Sequence, residues 1–115
     1  MLKNYLAAEV LSGKAGRFIF LKAFIRRLTN EQADALYLVR CVTEFQRTGT
    51  HRFLRNVYRR LLIRRYGIFL GYNVRFGMGL SLPHPSSIII GEGITFGEQA
   101  VIYQQTTFGG RRLGD

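Results

Sequence analysis

The chain has 115 residues, of which 17 are lysine or arginine and 7 are aspartate or glutamate, and its formal net charge is +10. This length suits one small domain and excludes a multidomain enzyme. The single cysteine, Cys41, excludes an internal disulfide and a cysteine-based metal site. No apolar run approaches the roughly 18 residues needed to cross a bilayer. We therefore expect a cytoplasmic protein with no membrane span and no metal.

The positive charge lies in the first part of the chain. Residues 1–66 carry 14 basic and 4 acidic side chains, whereas residues 67–115 carry three of each. Glycine is distributed the other way, since 10 of the 13 glycines and both prolines follow Tyr66. Because the composition changes abruptly at Gly67, we predict an α-helical region over residues 1–66 and a different, glycine-rich region over residues 67–115.

Three segments of the first region have helical spacing. In the first segment, apolar residues recur every three or four positions and predict an amphipathic helix: Phe18, Leu21, Ile25 and Leu28. Thr29 and Gln32 have the spacing of a capping box for a second helix, which can stop at Gly49. Thr50 is the predicted N-cap of a third helix.

The third predicted helix is rich in arginine, and its basic positions are Arg52, Arg55, Arg59, Arg60, Arg64 and Arg65. Two interpretations stay open. The arginines form either a solvated face whose stems cover apolar neighbours, or a binding face for RNA, an anionic membrane surface or an acidic polysaccharide. Cys41 is expected to be a buried small hydrophobe, and His51 a surface or capping residue.

The second region repeats every six residues. Large apolar side chains take the first position of each hexad and are predicted to point inward: Leu70, Phe76, Leu82, Ile90, Phe96, Ile102 and Phe108. A strict six-residue repeat is the signature of a parallel β-helix. Glycine follows the apolar residue in five hexads. We expect it to let the chain turn a tight corner at which a side chain or a negative φ would be costly.

The repeat breaks once, because eight residues instead of six separate Leu82 from Ile90. An insertion in a stacked repeat maps to a loop, so His84, held between Pro83 and Pro85, is expected outside the packed interior. An imidazole has its pKa near working pH, which suits a general base. A catalytic histidine and a structural surface histidine are both compatible with this position.

The stretch YGIFLGYNVRFGMGLSLPHPSSIIIGEGITFGEQAVIYQQTTFGG resembles the serine O-acetyltransferase-like branch of the hexapeptide-repeat acyltransferases. The resemblance implies an α+β fold in which an N-terminal helical part is followed by a left-handed parallel β-helix. Members of that family continue for several coils after the Gly-Gly pair, whereas this sequence stops at Asp115, so the β-helix is expected to be truncated at its C-terminus.

The resemblance implies transfer of an acetyl group from acetyl-CoA, a co-substrate rather than a bound cofactor, to a small hydroxyl acceptor. The acceptor would be serine, as in cysteine biosynthesis, or a sugar hydroxyl in surface-polysaccharide synthesis. His84 matches the catalytic histidine, and Gly109 and Gly110 match the positions beside the acyl group and its oxyanion. Gln104, one coil above His84, is either a wall of the substrate site or an outward polar residue. The complete protein would be a homotrimer or a dimer of trimers, and we expect no nucleic-acid partner.

Two family positions differ in this chain. The serine acetyltransferases carry an aspartate in an upstream Asp-Ile-His segment, where this chain has Phe69, Leu70 and Gly71. They also carry an aspartate just before the catalytic histidine, where this chain has Pro83. Two further hypotheses therefore stand beside the enzyme: a basic helical binding module for RNA or anionic lipid, and an inactive acetyltransferase remnant.

Overall fold

Helices precede short strands in this protein. The computed structural model describes residues 2, 4, 5 and 19–109. The helices within 19–109 are α1 (Ile19–Thr29), α2 (Glu31–Thr48) and α3 (Arg52–Tyr66), and the strands are β1 (Ile68–Leu70), β2 (Arg75–Phe76), β3 (Ile88–Ile90), β4 (Thr95–Phe96) and β5 (Thr107–Phe108). The chain is therefore mixed α plus β, as the sequence predicts. Across these residues, no helix combines the length and the apolar character needed to cross a membrane.

The start of α2 is capped by a different residue from the one predicted. Asn30 is the N-cap, and its side chain accepts a hydrogen bond from the Ala33 amide at 3.0 Å. Thr29 instead ends α1 and donates its hydroxyl to the Arg26 carbonyl. The predicted capping box of Thr29 with Gln32 is wrong because the two helices are separated by one residue, and that residue takes the capping position.

The turn between α2 and α3 also differs in its cap. Gly49 ends α2 in the left-handed conformation with φ of 70°, as its position predicts. The N-cap of α3 is His51 rather than Thr50, and no side chain caps this helix. The His51 ring stacks on Phe45 with 4.6 Å between centroids, so this histidine has a structural role at the helix start.

The strands pair in parallel between successive passes of the chain. β1, β3 and β5 form one sheet, β2 and β4 form a second, and Ser81 and Val101 form an isolated parallel bridge. Paired residues are 20 positions apart when residue 83 lies between them, as in Ile68 with Ile88. They are 18 positions apart when both follow residue 83, as in Ile89 with Thr107. Residues 88–102, here called the second layer, therefore run over residues 68–82, the first layer, and the two extra residues lie in the loop between them.

The predicted inward positions are mostly buried. Five of the seven have 6% or less of their surface exposed: Leu70, Phe76, Leu82, Ile90 and Ile102. Phe96 and Phe108 are partly buried and pack against the same core. The three phenylalanine rings form a column, with centroid separations of 5.0 Å from Phe76 to Phe96 and 4.9 Å from Phe96 to Phe108. The core continues into α2 and α3, so helices and layers share one apolar interior.

Two arginines join the helices to the first layer. Arg40 of α2 has only 1% of its surface exposed, and it donates hydrogen bonds to the carbonyls of Phe76, at 2.9 Å, and Gly77. Arg59 of α3 donates to the Leu70 carbonyl. An open strand edge leaves backbone groups without partners, and these guanidinium groups occupy that edge. Arg59 is therefore part of neither a solvated face nor a binding face, the two roles proposed for the arginines of this helix.

The corners of the layers correct the predicted role of glycine. The left-handed residues, with φ between 54° and 85°, occur once per corner: Asn73, Gly79, Ser87, Gly93, Gln99 and Gln105. None of them directly follows the inward apolar residue. Gly77, which does, has no positive φ, so that half of the prediction is wrong there. A side chain is excluded as predicted, because a Cβ would lie 2.8 Å from the backbone of Gly97 and Glu98 in the second layer.

This close approach predicts a position-specific loss of stability. We expect Gly77→Ala to lower the free energy of unfolding by roughly 1–3 kcal/mol, because the two layers must separate to admit the methyl group. Gly97→Ala is the matched control, since its Cβ would meet no heavy atom within 4 Å. Denaturant unfolding of both variants checks the prediction, and equal losses would contradict the proposed steric cause.

Candidate active site

His84 lies on the loop that contains the two extra residues. This loop, residues 83–87, connects the end of the first layer to β3. Pro85 is buried while His84 is exposed, so the proline fixes the loop to the interior and the imidazole projects from it. The predicted position of His84 outside the packed interior is confirmed.

The imidazole borders a cleft formed with the start of α2. The cleft has a volume of about 520 Å³, and its lining is mostly polar: Thr29, Asn30, Glu31, Gln32, Pro83, His84, Pro85 and Ser86. The wall opposite the loop is the first turn of α2, where the helix dipole is positive. A small polar molecule can therefore meet the His84 ring, amide and carboxylate groups, and a helix start in one space.

The His84 ring has no partner within the described part of the chain. No described side chain or carbonyl forms a hydrogen bond or ion pair with either ring nitrogen. The exposed ring therefore borders the cleft without an internal hydrogen-bond partner. Within the same residues, no cluster of three or more histidine, cysteine, aspartate or glutamate side chains could hold a metal ion.

Gln32 braces the strand that leads into the His84 loop. Its side-chain oxygen accepts two hydrogen bonds at 2.9 Å, from the Ser81 hydroxyl and from the Leu82 amide. These are the last two residues before Pro83. Gln32 therefore fixes the distance between α2 and the loop, and with it the width of the cleft. The sequence presented Gln32 only as half of a capping box.

We expect Gln32→Ala to lower the free energy of unfolding by roughly 1–3 kcal/mol, because the Ser81 hydroxyl and the Leu82 amide lose their shared acceptor. Gln32→Glu keeps an oxygen acceptor for both donors and should retain most of the stability. Denaturant unfolding of the two variants measures both effects. Equal loss of stability in both would show that Gln32 does not act through these two hydrogen bonds.

The other predicted site residues lie at different places. Gln104 is exposed on a turn held beside the loop, since the Gln105 amide donates to the Ser86 carbonyl at 3.1 Å. Gln104 does not line the cleft. Gly109 follows β5 and is exposed at another corner of the stack, above Gly91. Gly110 lies outside the described residues.

An ion-pair network holds the three helices beside the cleft. Asp34 of α2 is buried and accepts hydrogen bonds from Arg27 of α1 at 2.8 Å, Arg65 of α3 at 2.8 Å and the Tyr66 hydroxyl at 2.6 Å. Burial alone would raise the pKa of this carboxyl, but the hydrogen bonds from Tyr66, Arg27 and Arg65 outweigh it and hold the pKa below its ordinary value.

Cys41 lies in the apolar core. Its surface is only 1% exposed, and burial raises the pKa of the thiol to about 12. A thiol must ionise to act as a nucleophile, so Cys41 is a packing residue, as its place beside the apolar stripe predicts.

Comparison with known proteins adds no assignment to this geometry. No protein-family model, no curated protein and no solved structure matches the chain.

Proposed function

We propose that the two layers belong to a left-handed parallel β-helix and that the protein transfers an acetyl group from acetyl-CoA to a hydroxyl acceptor, with His84 as the general base. One observation carries the proposal. The single break in the six-residue repeat presents an unpartnered imidazole to a polar cleft, while Leu82 before the break and Ile88 after it remain buried in the core.

The proposed reaction requires one residue of this chain that accepts and returns a proton. His84 accepts the proton of the acceptor hydroxyl as that oxygen attacks the thioester carbonyl, and a tetrahedral oxyanion forms. When the oxyanion collapses, the carbon–sulfur bond breaks and the imidazolium returns its proton to the departing thiolate. The products are an O-acetyl ester and the free thiol of CoA, and His84 is regenerated.

The separation of His84 from Gly109 supports an assembly. The resemblance assigns Gly109 and Gly110 to the acyl group, yet Gly109 lies at a different corner of the stack from the His84 loop. In a homotrimer, a neighbouring copy can bring its glycine corner to the His84 corner of this one. The proposed site is therefore shared between subunits, and the trimer is part of the proposal.

The acceptor is proposed to be a small polar molecule, either serine or a sugar hydroxyl. Pro83 replaces the aspartate that the resemblance associates with an amino group, which favours the sugar. Glu31 in the cleft supplies a carboxylate on the opposite wall, which suits either an ammonium group or sugar hydroxyls. The cleft lining therefore supports a polar acceptor, and Pro83 within it favours a sugar hydroxyl.

A panel of acceptors incubated with acetyl-CoA and the full-length protein tests the proposal, with release of free thiol as the readout. We expect thiol release that depends on both acceptor and protein. Serine and a set of free and nucleotide-linked sugars form the panel. An absence of acceptor-dependent release across the panel, from folded protein, would falsify the proposed transferase activity.

A further inference from the structure

Helix α1 presents its apolar side chains to the outside. The exposed fractions are 57% for Leu21, 54% for Phe24, 54% for Ile25 and 72% for Leu28. Spacings of three and four put these four residues on one face of the helix. An amphipathic helix in a globular chain normally buries such a face, so this helix departs from the expected packing.

The side of α1 that carries Arg27 packs on α2. Arg27 donates to Asp34 at 2.8 Å, with only 15% of its side chain exposed. Its guanidinium group also lies 4.1 Å from the centroid of the Tyr37 ring. A buried ion pair requires its partner to stay in place, so these contacts fix the rotation of α1 and keep the apolar face outward.

The rest of the exposed surface of α1 is basic. Lys22 lies next to the apolar face and Arg26 lies farther around the helix. Both are exposed, and the sequence has no aspartate or glutamate between residues 10 and 30. The only acidic partner of α1 in the described residues is Asp34, which lies on the packed side. The outward surface of α1 therefore combines four apolar side chains with uncompensated positive charge.

We infer that α1 lies in the interface of an anionic phospholipid bilayer, with Leu21, Phe24, Ile25 and Leu28 inserted below the headgroups and Lys22 and Arg26 among the phosphates. Helices with this division of apolar and basic side chains bind in the plane of the membrane and do not span it. Anionic headgroups supply the complementary charge. RNA fits less well, because its backbone would be laid against four exposed apolar side chains. This docking is independent of the proposed acetyl transfer.

Cosedimentation of the full-length protein with lipid vesicles tests the inference. We expect binding to phosphatidylcholine vesicles that contain about 30 mol% phosphatidylserine, weak binding to phosphatidylcholine alone, and a loss of affinity as salt rises. The double substitution Phe24→Gln with Leu28→Gln should reduce partitioning at least about tenfold, because two inserted side chains are lost. Lys22→Gln with Arg26→Gln should reduce it by a similar factor and flatten the salt dependence.

Phe53→Gln is the matched control, since Phe53 is an exposed phenylalanine, at 78%, on the first turn of α3. It should leave vesicle binding unchanged. All variants alter exposed side chains, and circular dichroism melting should show unchanged folding.

Three results would overturn the inference. The first is vesicle binding that is unaffected by the Phe24 and Leu28 substitutions or equally reduced by Phe53→Gln. The second is tighter binding to homopolymeric RNA than to vesicles, unaffected by the apolar substitutions, which would assign the basic surface to nucleic acid. The third is loss of self-association in the double variant without vesicle binding by the parent protein, which would show that a second copy covers α1.

Discussion

Replacement of His84 by alanine is expected to lower turnover by about 10²–10⁴-fold, the usual contribution of a positioned general base. The reason is that His84 is the one histidine lining the cleft, and its imidazole has no hydrogen-bond partner among the described residues. Removing an exposed imidazole leaves no cavity, so the free energy of unfolding should hardly change. Steady-state thiol release with the acceptor found in the panel, together with thermal unfolding, measures both effects.

His51→Ala is the control, because it removes the only other histidine of the chain from the turn between α2 and α3. It should leave turnover near that of the parent protein. If His84→Ala kept its turnover, or lost it only in proportion to unfolded protein, His84 would be a structural surface residue and the catalytic proposal would be wrong.

The largest expected loss of stability follows from Asp34→Asn. This substitution removes the charge that Arg27, Arg65 and the Tyr66 hydroxyl share, and Arg27 is then left nearly buried without a counter-ion. Loss of one partner from a buried ion pair is costly, and the half-exposed Arg65 reduces the cost, so we expect a decrease of roughly 2–4 kcal/mol in the free energy of unfolding. Chemical denaturation at neutral pH measures it.

The same carboxylate should make stability depend on acid. Its folded pKa is depressed, so its contribution is complete above the unfolded value of about 3.9 and is lost as the pH falls through the folded pKa. We expect the parent protein to lose stability as the pH falls below about 4, and the difference between it and Asp34→Asn to shrink in the same range.

Glu44→Gln is the matched control for Asp34→Asn. Glu44 is another buried carboxylate of α2, but it pairs with Arg47, whose side chain is 39% exposed and lies one turn away on the same helix. A local pair of this kind contributes little, so we expect a loss of at most about 1 kcal/mol. If Glu44→Gln lowered the free energy of unfolding as much as Asp34→Asn, the ion-pair network around Asp34 would contribute no more to stability than a local pair.

The features that the sequence predicted best are those set by local periodicity. The inward positions such as Leu70 and Ile102 follow from the six-residue repeat, and the two extra residues around His84 follow from its interruption. In each case, the residue type at a fixed interval determines which side chain can point inward, and no knowledge of distant residues is needed.

The features that the sequence did not predict depend on contacts between distant residues. Gln32 braces Leu82 across 50 positions, and Arg40 meets Phe76 across 36. Nothing near Arg40 in the sequence separates it from a solvated arginine. The sequence also did not predict that the apolar face of α1 points outward. Its spacing is that of a helix packed on its apolar side, and the orientation is set instead by the pairing of Arg27 with Asp34.

Gln32, Arg40 and Arg59 each form a hydrogen bond with the backbone of the first layer, one on each of its three sides. The helices are therefore fitted to residues 68–82 through three separate contacts. Layers farther from the helices contact only their neighbours, so related chains can gain or lose such layers without any accommodation by the helices. Differences in chain length among related proteins should therefore accumulate in layers far from the helices. Residues of α2 and the β2 residues that they contact should change together.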